Sequence, residues 1–181
     1  MKKTIFLFSL VAGLFVANAQ TSATLNVILK PVQSIVVNTS PVDLVYDGLT
    51  DYTGGVELEM ADHLQVYSSG GFEVLVKVPE DNIGNTIPAG PGSGQTIAAN
   101  GITVTASNGT STNAGTFSSN GAVALDDQNQ ALFSSDEGGT ANKYTVTYKG
   151  AGANAYVGKH YDGNTGFTKY TTLVQYSIIA Q

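Results

Sequence analysis

Phe72-Glu73-Val74-Leu75-Val76-Lys77-Val78 is the stretch that decides the fold class. Phe72, Val74, Val76 and Val78 recur at a spacing of two, with Glu73 and Lys77 between them. An extended chain sends the two sets to opposite faces, whereas a helix would mix them. The segment therefore reads as a half-buried antiparallel strand, apolar toward a core and polar toward water. The same period sets Val56, Leu58 and Met60 against Glu57 and Glu59, and it returns over residues 102–106, 143–149 and 170–180. Shorter apolar segments lie at residues 35–37, 42–46 and 64–67, and turn signals such as Asp47-Gly48, Gly54-Gly55, Gly70-Gly71, Asn108-Gly109 and Asn120-Gly121 separate the pieces. Beyond the first residues no ten-residue stretch carries an i, i+3, i+4 stripe. Seven or more short strands with glycine-rich turns predict an all-β fold, an immunoglobulin-like antiparallel β-sandwich, with a barrel as the second architecture. Leu58, Phe72, Val74, Val76, Val104, Val146 and Tyr176 are the expected core.

The chain opens with a different pattern. Lys2-Lys3 precedes an apolar run from Ile5 to Val16, which ends in Ala17-Asn18-Ala19 ahead of Gln20. A basic start, an apolar centre and an A-x-A site predict a signal peptide at residues 1–19, cleaved before Gln20. The run falls short of the roughly 20 residues a bilayer span needs, and no later segment is apolar enough, so no membrane span is expected after cleavage. The expected destination is extracellular or the cell surface, by way of the periplasm. The remaining 162 residues suit one domain: an N-terminal alternating strand at residues 20–30 and a sandwich at 31–181.

Loss of Lys2 and Lys3 leaves six Lys and no Arg against fourteen acidic residues, a formal charge of −8. Nucleic acid is excluded as a partner, because phosphate binding needs clustered cations. The chain has no cysteine, which excludes thiolate metal ligands and cysteine nucleophiles. Residues 79–121 shift to Gly, Ser, Asn, Thr and Ala and read as solvated loops interrupted by one strand. His63 and His160 stand far apart outside any metal spacing and read as solvated or turn-bound. Asp126-Asp127 and Asp136-Glu137 read as solvated loop charges, and Asp162-Gly163-Asn164-Thr165-Gly166 as a turn lacking the distal Glu of a calcium loop. No catalytic residue, cofactor or metal site is expected, and the protein is not read as an enzyme.

The two ends of the mature chain are more pointed. Ala23, Leu25, Val27 and Leu29 alternate with Thr24, Asn26, Ile28 and Lys30, and Pro31, which has no N–H to donate, stops the ladder. At the far end Val174, Tyr176, Ile178 and Ala180 alternate with Leu173, Gln175, Ser177 and Ile179. An apolar strand in such a position is either paired inside a sheet or open to strand addition. In these features, the chain resembles the exported pilin subunits of bacterial fimbriae built by the chaperone-usher route. The resemblance implies an incomplete immunoglobulin-like fold that accepts the N-terminal strand of another subunit and whose C-terminal strand a periplasmic chaperone grips. It makes Ala23, Leu25, Val27 and Leu29 donor side chains and sets Val174, Tyr176 and Ile178 beside the acceptor groove. The cysteine pair common in some such pilins is absent.

Two functions follow. In the first the protein is a non-enzymatic structural subunit of a fimbria-like fibre or surface assembly, with copies of itself or other fibre subunits as partners. In the second, residues 23–29 are simply the first strand of a self-complete secreted adhesin or glycan-binding module. Its ligand loop would be residues 156–164, where Tyr156, His160 and Tyr161 combine aromatic faces with hydrogen-bonding groups.

Overall fold

Alternation turns into pairing along almost the whole chain. The computed structural model describes residues 20–110, 116–161 and 165–181. The signal peptide expected at residues 1–19, and Asp162, Gly163 and Asn164 of the expected turn, lie outside the described residues. In chain order the elements are β1 (Gln33–Val37), α1 (Leu49–Gly54), β2 (Glu57–Ser68), β3 (Phe72–Lys77), β4 (Asn82–Gly84), β5 (Thr96–Ala98), β6 (Ile102–Asn108), β7 (Phe117–Ser119), β8 (Val123–Ala124), β9 (Gln130–Ser135), β10 (Gly139–Gly150) and β11 (Gln175–Ala180).

Two sheets face each other as an all-β sandwich. One runs β1-β2-β10-β6-β8 and the other β11-β3-β9-β7, with β4 and β5 forming a small separate ribbon. Every ladder is antiparallel. The order β1-β2-β10-β6 follows the A-B-E-D order of an immunoglobulin sheet, and β3 and β11 stand where C and F stand. Among the described residues no strand takes the G place outside β11.

Phe72, Val74 and Val76 point inward from β3 and are fully buried, while Glu73, Leu75 and Lys77 on the other face are half-buried. Leu64 and Val66 of β2, Val104 of β6, and Tyr144 and Val146 of β10 meet them from the first sheet. One end of this core is aromatic: Phe133 and Tyr144 have ring centroids 4.4 Å apart, and Phe72 and Phe117 flank them at 5.4–6.3 Å. Each such side chain contributes about 1.5–3 kcal/mol by leaving water. Of the seven expected core residues, Leu58 and Tyr176 are only half-buried; the other five are buried.

The sequence divides β2 into two segments, but it is one strand of 12 residues. Met60 pairs with Val146 and Leu64 with Tyr144, so three residues of β2 oppose Thr145 alone. Asp62, inside this bulge, takes φ 52°, a left-handed backbone that an aspartate tolerates better than most residues. The two extra residues preserve parity, so Leu58, Met60, Leu64 and Val66 still share a face. A second bulge, where β3 pairs with β9, turns both Leu132 and Phe133 inward. Residues 42–46 are extended but join no ladder, and the strand expected from residue 170 begins only at Gln175, with Tyr170 in an isolated bridge to Asn85.

Candidate assembly site

Along one long side of the sandwich the two sheets end in β1 and β11, which approach to within 8 Å between Cα atoms but share no ladder. β11 pairs with β3 along one edge, and its second edge, at the end of the sheet, pairs with nothing among the described residues. β1 ends the other sheet on the same side. Ile35 of β1, Val42 and Leu44 of the extended segment, and Val174, Tyr176 and Ile178 along β11 all pack against the core, yet each is only half-buried. In the middle of the sheets Leu64, Val66, Phe72, Val74, Val76 and Val146 are fully covered, although Leu58, Met60 and Ile102 near the strand ends are half-buried too. Together Ile35, Val42, Leu44, Val174, Tyr176 and Ile178 form a row of inward-pointing apolar side chains left half in water beside an unpaired strand edge. Ile35, Val42 and Leu44 were not foreseen as part of this site; the two-residue alternation of 42, 44 and 46 was the available signal.

Residues 20–32 lie outside every sheet. Leu25 is 87% exposed, Val27 75% and Leu29 88%, and Ala23 is exposed too. The extension leaves the body at the end of the sandwich where β1 starts beside Ser68 and β11 finishes beside Phe72. There Leu29, Lys30, Pro31, Ser69, Ala180 and Gln181 enclose a depression of about 290 Å³.

A chain of hydrogen bonds ties β11 to the opposite sheet. Tyr176 Oη lies 2.6 Å from Tyr148 Oη, which lies 2.9 Å from His63 Nε2. The His63 ring meets Tyr148 and Tyr176 edge-on at 5.6 and 6.2 Å. His63 is 1% exposed, which corrects the expectation of a solvated or turn-bound residue. The Asp62 bulge turns it inward beside its buried neighbour Leu64. Burial holds the His63 imidazole below its ordinary range and pushes the Tyr148 hydroxyl up. Burial, with Tyr148 alongside, pushes the Tyr176 hydroxyl up further. Among the described residues no partner reaches His63 Nδ1.

The structure divides the expected ligand loop. Tyr156 packs edge-on against Tyr46, centroids 5.1 Å apart, and Tyr46 in turn donates from its hydroxyl to Ala151 O at 2.9 Å. Burial and the nearby Tyr156 push the Tyr46 hydroxyl up to about 12. His160 is exposed, with Nδ1 3.3 Å from Thr168 Oγ1. Tyr156 and His160 share a shallow depression of about 240 Å³ with Leu49, Tyr52 and Val157. Tyr161 belongs elsewhere: its side chain lies against Gly92, whose φ of +85° and lack of a Cβ admit the ring. The aromatic pair expected to act together is therefore split.

Two carboxylate groupings complete the chemistry. Asp62 accepts hydrogen bonds from Thr110 N at 2.8 Å and Thr110 Oγ1 at 2.6 Å, with Lys143 Nζ at 3.5 Å. The Thr110 hydroxyl, then its N–H, then Lys143 hold the Asp62 carboxyl below its ordinary range. Carboxylate oxygens of Asp81, Asp126 and Asp127 gather within 4.8 Å of one another. They also serve the loop: Asp81 accepts from Asp127 N and Asp126 from Gln128 N. No family model matches the chain, and no curated protein matches it in sequence.

Proposed function

We propose that the protein is a structural subunit of an extracellular fimbria-like fibre, assembled by β-strand addition. The observation that carries this reading is the open edge of β11, with Ile35, Leu44, Val174, Tyr176 and Ile178 half-covered behind it, on a chain that also carries an unpaired alternating extension. An added strand gains main-chain hydrogen bonds from β11 and places alternate side chains over the uncovered core. Ala23, Leu25, Val27 and Leu29 offer four such side chains at the required period. The resemblance to chaperone-usher pilins supports the same reading and adds export through the periplasm, where a chaperone would cover β11 until assembly.

Deleting residues 20–30 should leave a soluble sandwich that no longer assembles but binds a synthetic peptide of that sequence. Val27→Asp in the peptide should abolish binding, because it sets a charge in an apolar groove. Under the competing reading, a self-complete adhesin, the same deletion removes the domain's own first strand and unfolds it. An unfolded deletion variant, or a folded one indifferent to the peptide, overturns the proposal.

A further inference from the structure

We infer that the apolar patch formed by Leu49, Tyr52, Tyr156, Val157 and His160 is a second contact between consecutive subunits, docking the body of the copy whose strand fills the groove. The inference rests on the strand-addition reading and goes beyond it: strand exchange alone does not require two bodies to touch.

Topology gives the direction. β11 runs from Gln175, beside Lys77, to Ala180, beside Phe72. Call the Lys77 end the upper pole and the Phe72 end the lower. A strand added at the G place runs antiparallel to β11, as every ladder in this protein does, and antiparallel pairing is the stronger per residue. The donor strand therefore climbs from the lower pole to the upper, and the body that follows it emerges above the upper pole. Only Lys30, Pro31 and Val32 separate Leu29 from the first residue of β1. At the roughly 3.3 Å rise of an extended residue, the next body begins within about 13 Å of the groove's end. Pro31 stiffens this tether further. That body therefore stands over the upper pole beside the groove, within reach of a surface there.

The patch lies there. Residues 42–46 climb the groove side of the sandwich, tied to the segment preceding β11 by Asp43 and Lys169 at 3.9 Å. They deliver Tyr46 to α1, where the Tyr46 ring contacts both Tyr52 and Tyr156. The loop after β10 docks on α1 through Ala153 N to Thr53 O and Asn154 N to Tyr52 O, 2.8 and 2.7 Å. This fixed support holds Leu49 81% exposed and Val157 62% exposed. The incoming body presents its lower pole: the Ser69–Gly71 turn, the depression around Pro31, and the β9–β10 turn with Asp136 and Glu137. One charge pairing is available between the two poles. Lys159 beside the patch makes no ion pair among the described residues, and neither do Asp136 and Glu137.

The cysteine-free chain permits a direct test. Fibres of full-length mature protein carrying V157C and E137C, at opposite poles of one subunit, are treated with a bismaleimide crosslinker. Fibres carrying N26C and S177C, on the donor strand and β11, serve as the control. The expected result is a ladder of covalent multimers from both. A ladder from the control alone overturns the patch contact and leaves strand addition standing. No ladder from either overturns strand addition and the inference with it. Separately, Leu49→Asp with Val157→Asp, both on the surface, should speed fibre dissociation about tenfold, or ~1.4 kcal/mol, with peptide binding in the groove unchanged. An unchanged dissociation rate counts against the contact.

Discussion

Tyr148→Phe removes one oxygen, and the structure dictates where the cost falls. The Tyr148 hydroxyl is the middle member of a three-group chain, 2.9 Å from His63 Nε2 and 2.6 Å from Tyr176 Oη. Without it, the Tyr176 hydroxyl loses this bond as well. His63 loses more: it is 1% exposed and Nδ1 lacks a partner among the described residues, so the ring would carry no hydrogen bond at all. A buried polar group left unpaired costs about 1–3 kcal/mol. At about 2–4 °C per kcal/mol for a domain of this size, the melting temperature should fall by roughly 2–12 °C. Tyr176→Phe leaves the Tyr148–His63 bond intact and should cost only about 0.5–1.5 kcal/mol. His63→Phe combined with Tyr148→Phe removes both partners of the buried bond, so the double variant should lose less than the sum of the single losses. Urea unfolding of the mature protein, of the single variants Tyr148→Phe, Tyr176→Phe and His63→Phe, and of the double variant measures the free energies, and a thermal melt of Tyr148→Phe measures the shift in melting temperature. A Tyr176→Phe loss equal to or above that of Tyr148→Phe, or strict additivity in the double variant, would refute the reasoning.

Three further outcomes follow from the same packing. Phe72→Ala empties a fully buried site between Phe133 and Tyr144 and should cost about 3–5 kcal/mol by urea unfolding, whereas Leu75→Ala on the opposite face of β3 should cost clearly less. The unfolded chain protonates His63 near its ordinary value of 6.5 while the folded chain resists, so stability should fall as pH drops below ~6.5, and His63→Gln should flatten that slope. The depressed Asp62 carboxyl adds stability that is present above ~4 and lost as pH falls further, read as an acid-unfolding midpoint that Asp62→Asn raises. Protein recovered outside the cytoplasm should begin at Gln20 by intact mass, and recovery of chains starting at Met1 would refute the signal-peptide reading.

The fold class was legible because Phe72, Val74 and Val76 each face a core that only an extended chain can present at that period. What escaped was local irregularity. Ala131-Leu132-Phe133 shows no alternation, since the β3–β9 bulge buries two neighbours in succession, and β9 was missed for that reason. The Asp62 bulge likewise made one long strand read as two and hid the inward turn of His63. Six residues of α1 are too few for a helical stripe; the helix is held instead by Asp51, whose carboxylate accepts from Gly48 N and Asp47 N. At the candidate site, the alternation of residues 23–29 is visible in sequence. For Ile35, Val42 and Leu44 the sequence shows apolar spacing but not their half-exposure, because half-covered and fully covered valines and leucines look alike in a string of letters. Tyr161 was grouped with Tyr156 by proximity along the chain, and the loop carries their rings to different surfaces.

The place where the extension joins the body also decides how the domain would respond to a pull on that extension. Pro31 leads almost directly into β1, whose five residues pair with β2 from Gln33 opposite Ser68 to Val37 opposite Leu64. A pull on the extension, directed away from the lower pole, acts along the axis of β1 and therefore perpendicular to its hydrogen bonds. Loaded in that direction the rungs share the force and must fail together; a pull across the strand would open them one at a time. The same direction drags β1 against β2 without prying the two sheets apart. The position of one proline thus places tension on the ladder in shear, the geometry in which a short strand resists force best.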